Sequence, residues 1–398
     1  MRSRRVALAT AVVLLAGLFT ATASRADPDV SDEDVQAARS AVTDAAAVVA
    51  VVELKLAELS ASLDAAWVAV AVAGEEYTRA LVEQDAAQTR ADEAAERSEL
   101  AAQEVQAARS ELGRIAQEAY RSGGSLDSAV VLLAADGFED YVARSAALER
   151  MGAHAERTVQ RFRASDLVAR TLSGRADAAA QEAREAASSA EEALAEAHRL
   201  QTVAEEQVLA AEVQREALVA ELASLRRTSA AVERARQRAI EAERQSRSDA
   251  GGGGSQPNPT SGDPYGLLGT GSQRGSAAQG EAAVAWALQQ VGKPYVYGAA
   301  GPNAFDCSGL TMRAWGVAGV SLNRSSRDQY RQVYKITYGS LRPGDLIFFG
   351  TDPGDPGSVY HVSMYIGGGQ IVEASRPGVP LRVASMRWTD TMPYAGRP

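Results

Sequence analysis

Phe305-Asp306-Cys307-Ser308-Gly309-Leu310 holds the only cysteine of a 398-residue chain. Leu310, Met312, Ala314 and Trp315 follow it and read as a helix, which places Cys307 in the first turn. There the helix dipole and free backbone amides favour a thiolate, and the same amides can donate to a developing oxyanion. Upstream, Gln279 to Val291 has Ala283, Trp286, Ala287 and Gln290 at helical spacing and stops at Gly292-Lys293-Pro294. Downstream, four segments read as strands: Asp345 to Phe349, Tyr360 to Ile366, Gln370 to Ala374 and Leu381 to Ser385. Alternation in the second puts His361, Ser363 and Tyr365 on one face. With Gly367-Gly368-Gly369 as a three-residue hairpin loop, Ile366 pairs with Gln370 and Ser363 with Glu373. Glu373 then lies diagonal to His361, within reach of its imidazole. Cys307, His361 and Glu373 form a candidate nucleophile, base and orienting carboxylate. An inert, buried thiol is the competing reading of Cys307.

Outward from this segment the composition changes twice. Residues from about Ser31 to Glu243 contain no proline and are dominated by Ala, Glu, Arg, Gln and Leu. Leu59, Ala66, Ala73, Ala80, Ala87, Ala94, Ala101, Ala108 and Ile115 recur every seven residues, beside a second seam of Leu56, Leu63, Val70 and Tyr77. Leu218, Leu222, Leu225 and Val232 mark a returning helix, and Ser122-Gly123-Gly124-Ser125 ends the first. An antiparallel hairpin with an apolar tip over Leu126 to Tyr141 is expected, and a parallel dimer is the alternative. His154 and His198 lie among polar helical residues and read as solvated. Ser246 to Gly280 carries Gly251-Gly252-Gly253-Gly254-Ser255 and three prolines, the composition of a tether.

At the N-terminus, Arg2, Arg4 and Arg5 precede an apolar run from Val6 to Phe19 and then Ser24-Arg25-Ala26, the layout of a secretory signal cleaved after Ala26. Its removal takes four arginines and moves the formal charge from −10 to about −14. An acidic exported chain argues against nucleic acid as a partner. A single cysteine has no internal disulfide partner, and no Cys/His cluster or phosphate loop implies a metal or cofactor. The expected organisation is a signal peptide over 1–26, a helical hairpin over 27–245, a linker over 246–275 and an α+β domain over 276–398.

Gly292-Lys293-Pro294-Tyr295-Val296-Tyr297-Gly298, Asp306-Cys307-Ser308-Gly309-Leu310, Arg342-Pro343-Gly344-Asp345-Leu346 and His361-Val362-Ser363-Met364-Tyr365-Ile366-Gly367 resemble the successive blocks of the NlpC family of papain-like cell-wall cysteine peptidases. The resemblance covers the C-terminal domain. It implies a helix bearing the cysteine packed on an antiparallel sheet, and hydrolysis of peptidoglycan stem peptides between D-glutamate and the following diamino acid. Carried over by position, Cys307 is the nucleophile, His361 the base and Tyr295 the hydroxyl near the oxyanion hole. Asp306, Ser308, Arg324 and Ser325 would contact substrate. Glu373 at the third position resembles the actinobacterial Rip-type endopeptidases, which also carry a coiled coil. That architecture implies a role in cell division, and a membrane cell-division ABC transporter complex as partner of the hairpin tip. The coiled coil is then expected to dock on or mask the cleft. A non-catalytic wall-binding or hydrolase-activating adaptor is the rival reading.

Overall fold

The computed structural model describes residues 32–121, 130, 132–250, 271–272 and 275–398. The expected signal peptide and most of the expected tether lie outside them. Contacts divide the chain into residues 1–54 and 55–398. In the first unit, the described residues from Asp32 onward are helical. Everything below concerns the second.

Helices α1 (Asp32–Arg121), α2 (Phe138–Leu225) and α3 (Ala230–Ala250) make up the N-terminal half. From Lys55 onward α1 lies antiparallel to α2 in the same chain. Ala87 and Ala91 pack on Ala183, and Val70 and Ala73 pack on Ala197 and Ala204. The expected hairpin is therefore intramolecular. The returning seam is Ala183, Ala190, Ala197, Ala204, Ala211 and Leu218, a seven-residue repeat buried throughout. Alanine at these positions lets the helix axes approach closely but buries little area in each layer. The expected returning stripe is split. α2 ends at Leu225, Arg227 adopts φ +52°, and Val232 belongs to α3. α3 folds back along α2, with Arg226 bound to Glu233 (2.7 Å) and Arg234 to Glu216 (2.8 Å). It continues through Ala250, past the point where the tether was expected to start. Of the apolar tip, Val130, Leu133, Phe138 and Tyr141 are exposed and Leu132 is half-buried.

The C-terminal domain opens with α4 (Ala277–Leu288), closed at its start by a reciprocal capping box between Ser276 and Gln279. α5 (Cys307–Val317) and α6 (Ser326–Gln332) follow. The strands are β1 (Tyr334–Ile336), β2 (Leu346–Gly350), β3 (Val359–Gly367), β4 (Gln370–Glu373), β5 (Arg382–Ser385) and β6 (Ala395–Arg397). They form one antiparallel sheet in the order β1-β6-β2-β3-β4-β5. The four expected strands are present, and the short edge pair β1 and β6 adds two that were not expected. This α+β arrangement, a cysteine-bearing helix on an antiparallel sheet preceded by long helices, is the expected fold class.

Both faces of the sheet are covered, which is why β2 reads Leu346-Ile347-Phe348-Phe349 without alternation. Leu346 and Phe348 join α4 and α5 in one core. Ile347 and Phe349 face a second core with Tyr338, Tyr360 and Met386, against which Val68, Ala71 and Val72 of α1 pack. The hairpin thus supplies part of the covering layer. Between β3 and β4, Met364 pairs with Val372, which sets Ser363 opposite Glu373 as expected. At the loop, however, Gly367 pairs with Gln370 through a bulge. Gly368 and Gly369 then form a two-residue turn, both with positive φ (+62° and +72°), a conformation in which glycine carries no Cβ penalty.

Trp315 on α5 is fully buried, and its Nε1–H donates to Gly344 O (3.1 Å). Trp315→Ala should therefore destabilise the domain by about 3–5 kcal/mol, read as a lowered denaturation midpoint at unchanged helix content of the hairpin.

Candidate active site

α5 begins where it does because Asp306 caps it. The Asp306 carboxylate accepts from Gly309 N (2.6 Å), leaving Cys307 as the first helical residue. The cap is itself held by Arg324, whose guanidinium pairs with both Asp306 oxygens and donates to Ser308 Oγ (3.0 Å). Asp306, Ser308 and Arg324, read from sequence as substrate contacts, thus bind one another inside the fold. Ser325, read the same way, is the N-cap of α6: its Oγ accepts from Asp328 N (3.1 Å) and donates to Asp328 Oδ2 (2.9 Å). All four have structural partners.

On β3, His361 is 3% exposed, and its Nε2–H donates to Glu373 Oε2 (3.1 Å). Glu373, at the end of β4, is fully buried. The expected imidazole–carboxylate pair is present, and it leaves Nδ1 as the acceptor. α5 packs on β3, with Cys307 against the backbone amide of Val362, the residue after His361. Tyr295 stands beside the thiol and edge-on to Tyr297 at 5.5 Å. The four residues assigned to chemistry are therefore gathered at one end of α5.

Their protonation differs from the expectation of a thiolate. Burial pushes the Cys307 thiol up, reinforced by the negative charges of Asp306 and Glu75 and opposed by the Val362 amide and Arg324. Burial likewise pushes His361 down, against the hydrogen bond to Glu373. Both shifts favour the neutral thiol and the neutral imidazole over the charged forms. The helix start does not win because the site is sealed.

The seal is α1. Gly74 lies against the aromatic pair: a Cβ there would sit 2.8 Å from Tyr297 Cε1 and 3.6 Å from Tyr295 Oη. Glu75, 3% exposed, accepts from Arg327 N (3.1 Å), and Glu76 pairs with the Arg327 guanidinium (2.6 Å). Tyr77 and Leu81 close over Gly298, and Arg376 stacks on Trp67 at 4.1 Å. From α2, His198 meets Tyr297 edge-on at 5.6 Å while staying exposed, in keeping with the solvated position expected of it. Sequence reading missed Gly74, Glu75, Tyr297 and Arg327. A signal was present in Ala65-Ala66-Trp67-Val68-Ala69-Val70-Ala71-Val72-Ala73, apolar on every side of the helix where a two-helix seam needs only one stripe.

Residues 292–395 match the NlpC/P60 family model. The C-terminal domain is an NlpC/P60 domain. The chain is 41% identical across 110 residues to a probable endopeptidase p60 of Listeria grayi, covering 28% of this chain and 21% of that protein. It is 38% identical across 119 residues to a probable endopeptidase of Corynebacterium glutamicum, covering 30% and 53%. Among solved structures, the peptidoglycan hydrolase RipB of Mycobacterium tuberculosis is 33% identical, covering 32% of this chain and 68% of that one, with a TM-score of 0.28. The match thus spans between about a fifth and a half of these two curated relatives. No cluster of His, Cys, Asp or Glu suited to a metal occurs among the described residues.

The seat of Glu75 makes the seal pH-dependent. Burial pushes its carboxyl from an ordinary 4.5 up to about 7, against donors from Arg327 and Ser326 that pull it down. A carboxyl raised in the docked state favours docking fully below pH 4.5, and that contribution is lost as pH rises through about 7, a change of about 3 kcal/mol. Hydrogen exchange of the Tyr295 to Gly298 amides of the NlpC/P60 domain, corrected for its intrinsic pH dependence, should accelerate over this range. Glu75→Gln should keep them protected throughout.

Proposed function

We propose that this protein is a peptidoglycan endopeptidase that hydrolyses stem peptides with Cys307 as nucleophile. The observation that carries the reading is the buried His361–Glu373 pair on the strands beside a cysteine at a helix start, in an NlpC/P60 domain. The named relatives are probable endopeptidases and a peptidoglycan hydrolase, which supports the substrate class. The bond is the one between the γ-carboxyl of D-glutamate and the diamino acid.

In this mechanism His361 Nδ1 takes the Cys307 proton as sulfur attacks the stem carbonyl. Amides at the start of α5 and the Tyr295 hydroxyl hold the oxyanion. The imidazolium, steadied by Glu373, then protonates the leaving amine. A water deprotonated by His361 releases the acyl group from sulfur. Asp306, Arg324, Ser308 and Ser325 contribute by fixing the helix starts that border the cleft.

The hairpin keeps the enzyme latent, since α1 occupies the approach to Tyr295, Tyr297 and Cys307. The chain is exported by the signal over 1–26 and acts at the cell wall in daughter-cell separation. A membrane cell-division ABC transporter complex releases the hairpin by engaging its tip, where Leu133 and Phe138 are exposed.

Digestion of purified peptidoglycan, with fragments read by mass spectrometry, tests this reading. The mature chain should cleave slowly, the domain from Ser276 onward at least about tenfold faster, and Cys307→Ala in either form not at all. Intact stems with both wild-type forms would leave the domain a binding module. Equal rates of the two forms would remove the hairpin as regulator.

A further inference from the structure

Glu373 is held by more than His361. Its Oε1 accepts from Arg382 Nε (3.3 Å) and Nη2 (3.1 Å), and Arg382 is its cross-strand partner on β5. Its Oε2, the atom that receives His361, also accepts from Arg387 Nη1 (2.8 Å). Arg387 has a second contact with the same site. Its guanidinium lies over the Phe349 ring at 4.1 Å, and that ring packs on the His361 imidazole at 5.4 Å, its cross-strand neighbour. One side chain therefore touches both groups that fix the imidazole, the carboxylate at its edge and the ring against its face.

The charge balance points the same way. A buried carboxylate facing only an imidazole is compensated by protonating that imidazole, and an imidazolium cannot accept a proton from a thiol. Here two guanidinium groups compensate Glu373 before His361 is counted. We propose that Arg387, assisted by Arg382, is a positioning residue of the site: it fixes the Glu373 carboxylate and supplies the counter-charge that leaves His361 a free base. This rests on the peptidase reading given above, in which His361 accepts the Cys307 proton. The other ionisable groups near the pair are Arg376 on the β4–β5 loop with Asp64 of α1 opposite, Asp390 beyond β5, and Cys307 at the start of α5, itself faced by Asp306 and by Glu75 of α1. Burial pushes His361 down and Arg387 adds to that push, while Glu373 opposes it. Burial acts to raise Glu373, and its partners overcome it and hold it well below the carboxylate range.

The chain has three histidines, so each can be followed separately by NMR in the full mature protein without substrate. Arg387→Met should raise the His361 titration midpoint by about one unit or more, roughly a tenfold gain in proton affinity, with the signals of His154 and His198 unmoved. Arg387→Lys, which keeps the charge, should recover most of the shift. Arg382→Met, at a half-exposed side chain, should move the midpoint in the same direction with the fold intact. An unchanged or lowered midpoint in both methionine variants would overturn the proposal. So would collapse of all three signals together in Arg387→Met with no shift in Arg382→Met, which would make Arg387 a folding residue. Because no hydrolysis is measured, a negative result leaves the peptidase reading standing, and failure of wall digestion leaves this measurement interpretable.

Discussion

The close approach of α1 to Tyr295 and Tyr297, permitted by the missing side chain at Gly74, is the contact on which the arrangement depends. A Cβ there would meet the Tyr297 ring at 2.8 Å, so the ring or the helix that carries Glu75 to the Arg327 amide would have to shift. With the helix seated, Val68, Ala71 and Val72 complete the apolar layer over Ile347 and Phe349, and Glu76 pairs with Arg327. The hairpin is thus part of the packing of the sheet as well as a neighbour of the site. Its own stability is modest per layer because its seam is alanine, so contacts with the C-terminal domain add to what holds the two helices together.

The same contact sets the chemistry beneath it. Excluding water costs a charged thiolate and a charged imidazolium far more than their neutral forms. In the latent form proposed above, the seated helix blocks access and burial keeps the proton on sulfur, so a displaced helix would reverse both together. The seal is not an optimal one. Glu75 is a carboxyl buried in a place that raises its proton affinity, and the Tyr297 hydroxyl is buried without a protein partner. Both make the docked state less favourable than an all-apolar contact would be, and both suit a contact that has to open.

Much of the C-terminal domain was legible in the sequence because its local signals agree. Asp306 before Cys307 reads as a cap, Pro294 as a stop, and the odd-numbered positions of β3 as one face, from which the His361–Glu373 pair follows. The short strands β1 and β6 were not legible, since three residues carry no period. The internal partners of Asp306, Ser308, Arg324 and Ser325 were not legible for another reason: polar residues beside a nucleophile suggest substrate, and nothing in their spacing shows that Arg324 reaches Asp306 and Ser308 or that Ser325 caps α6. In the hairpin, the heptad of α1 was visible but its counterpart from Ala183 to Leu218 was not, because alanine is common all round α2. The docking of α1 is a tertiary fact that periodicity alone does not carry. Its one trace was the run from Ala65 to Ala73, apolar beyond the needs of a single seam. Arg387 was equally silent, an arginine in an irregular segment whose partner lies fourteen residues away.

In the latent form proposed above, α1 shuts the thiol away, and the chain's single cysteine makes this directly measurable. In the mature chain at neutral pH, the rate of Cys307 alkylation by a small neutral reagent should rise at least about tenfold when Gly74 is replaced by leucine, with the C-terminal domain still folded. Equal rates for the two proteins would contradict the account, since they would mean that the helix neither covers the sulfur nor governs its proton.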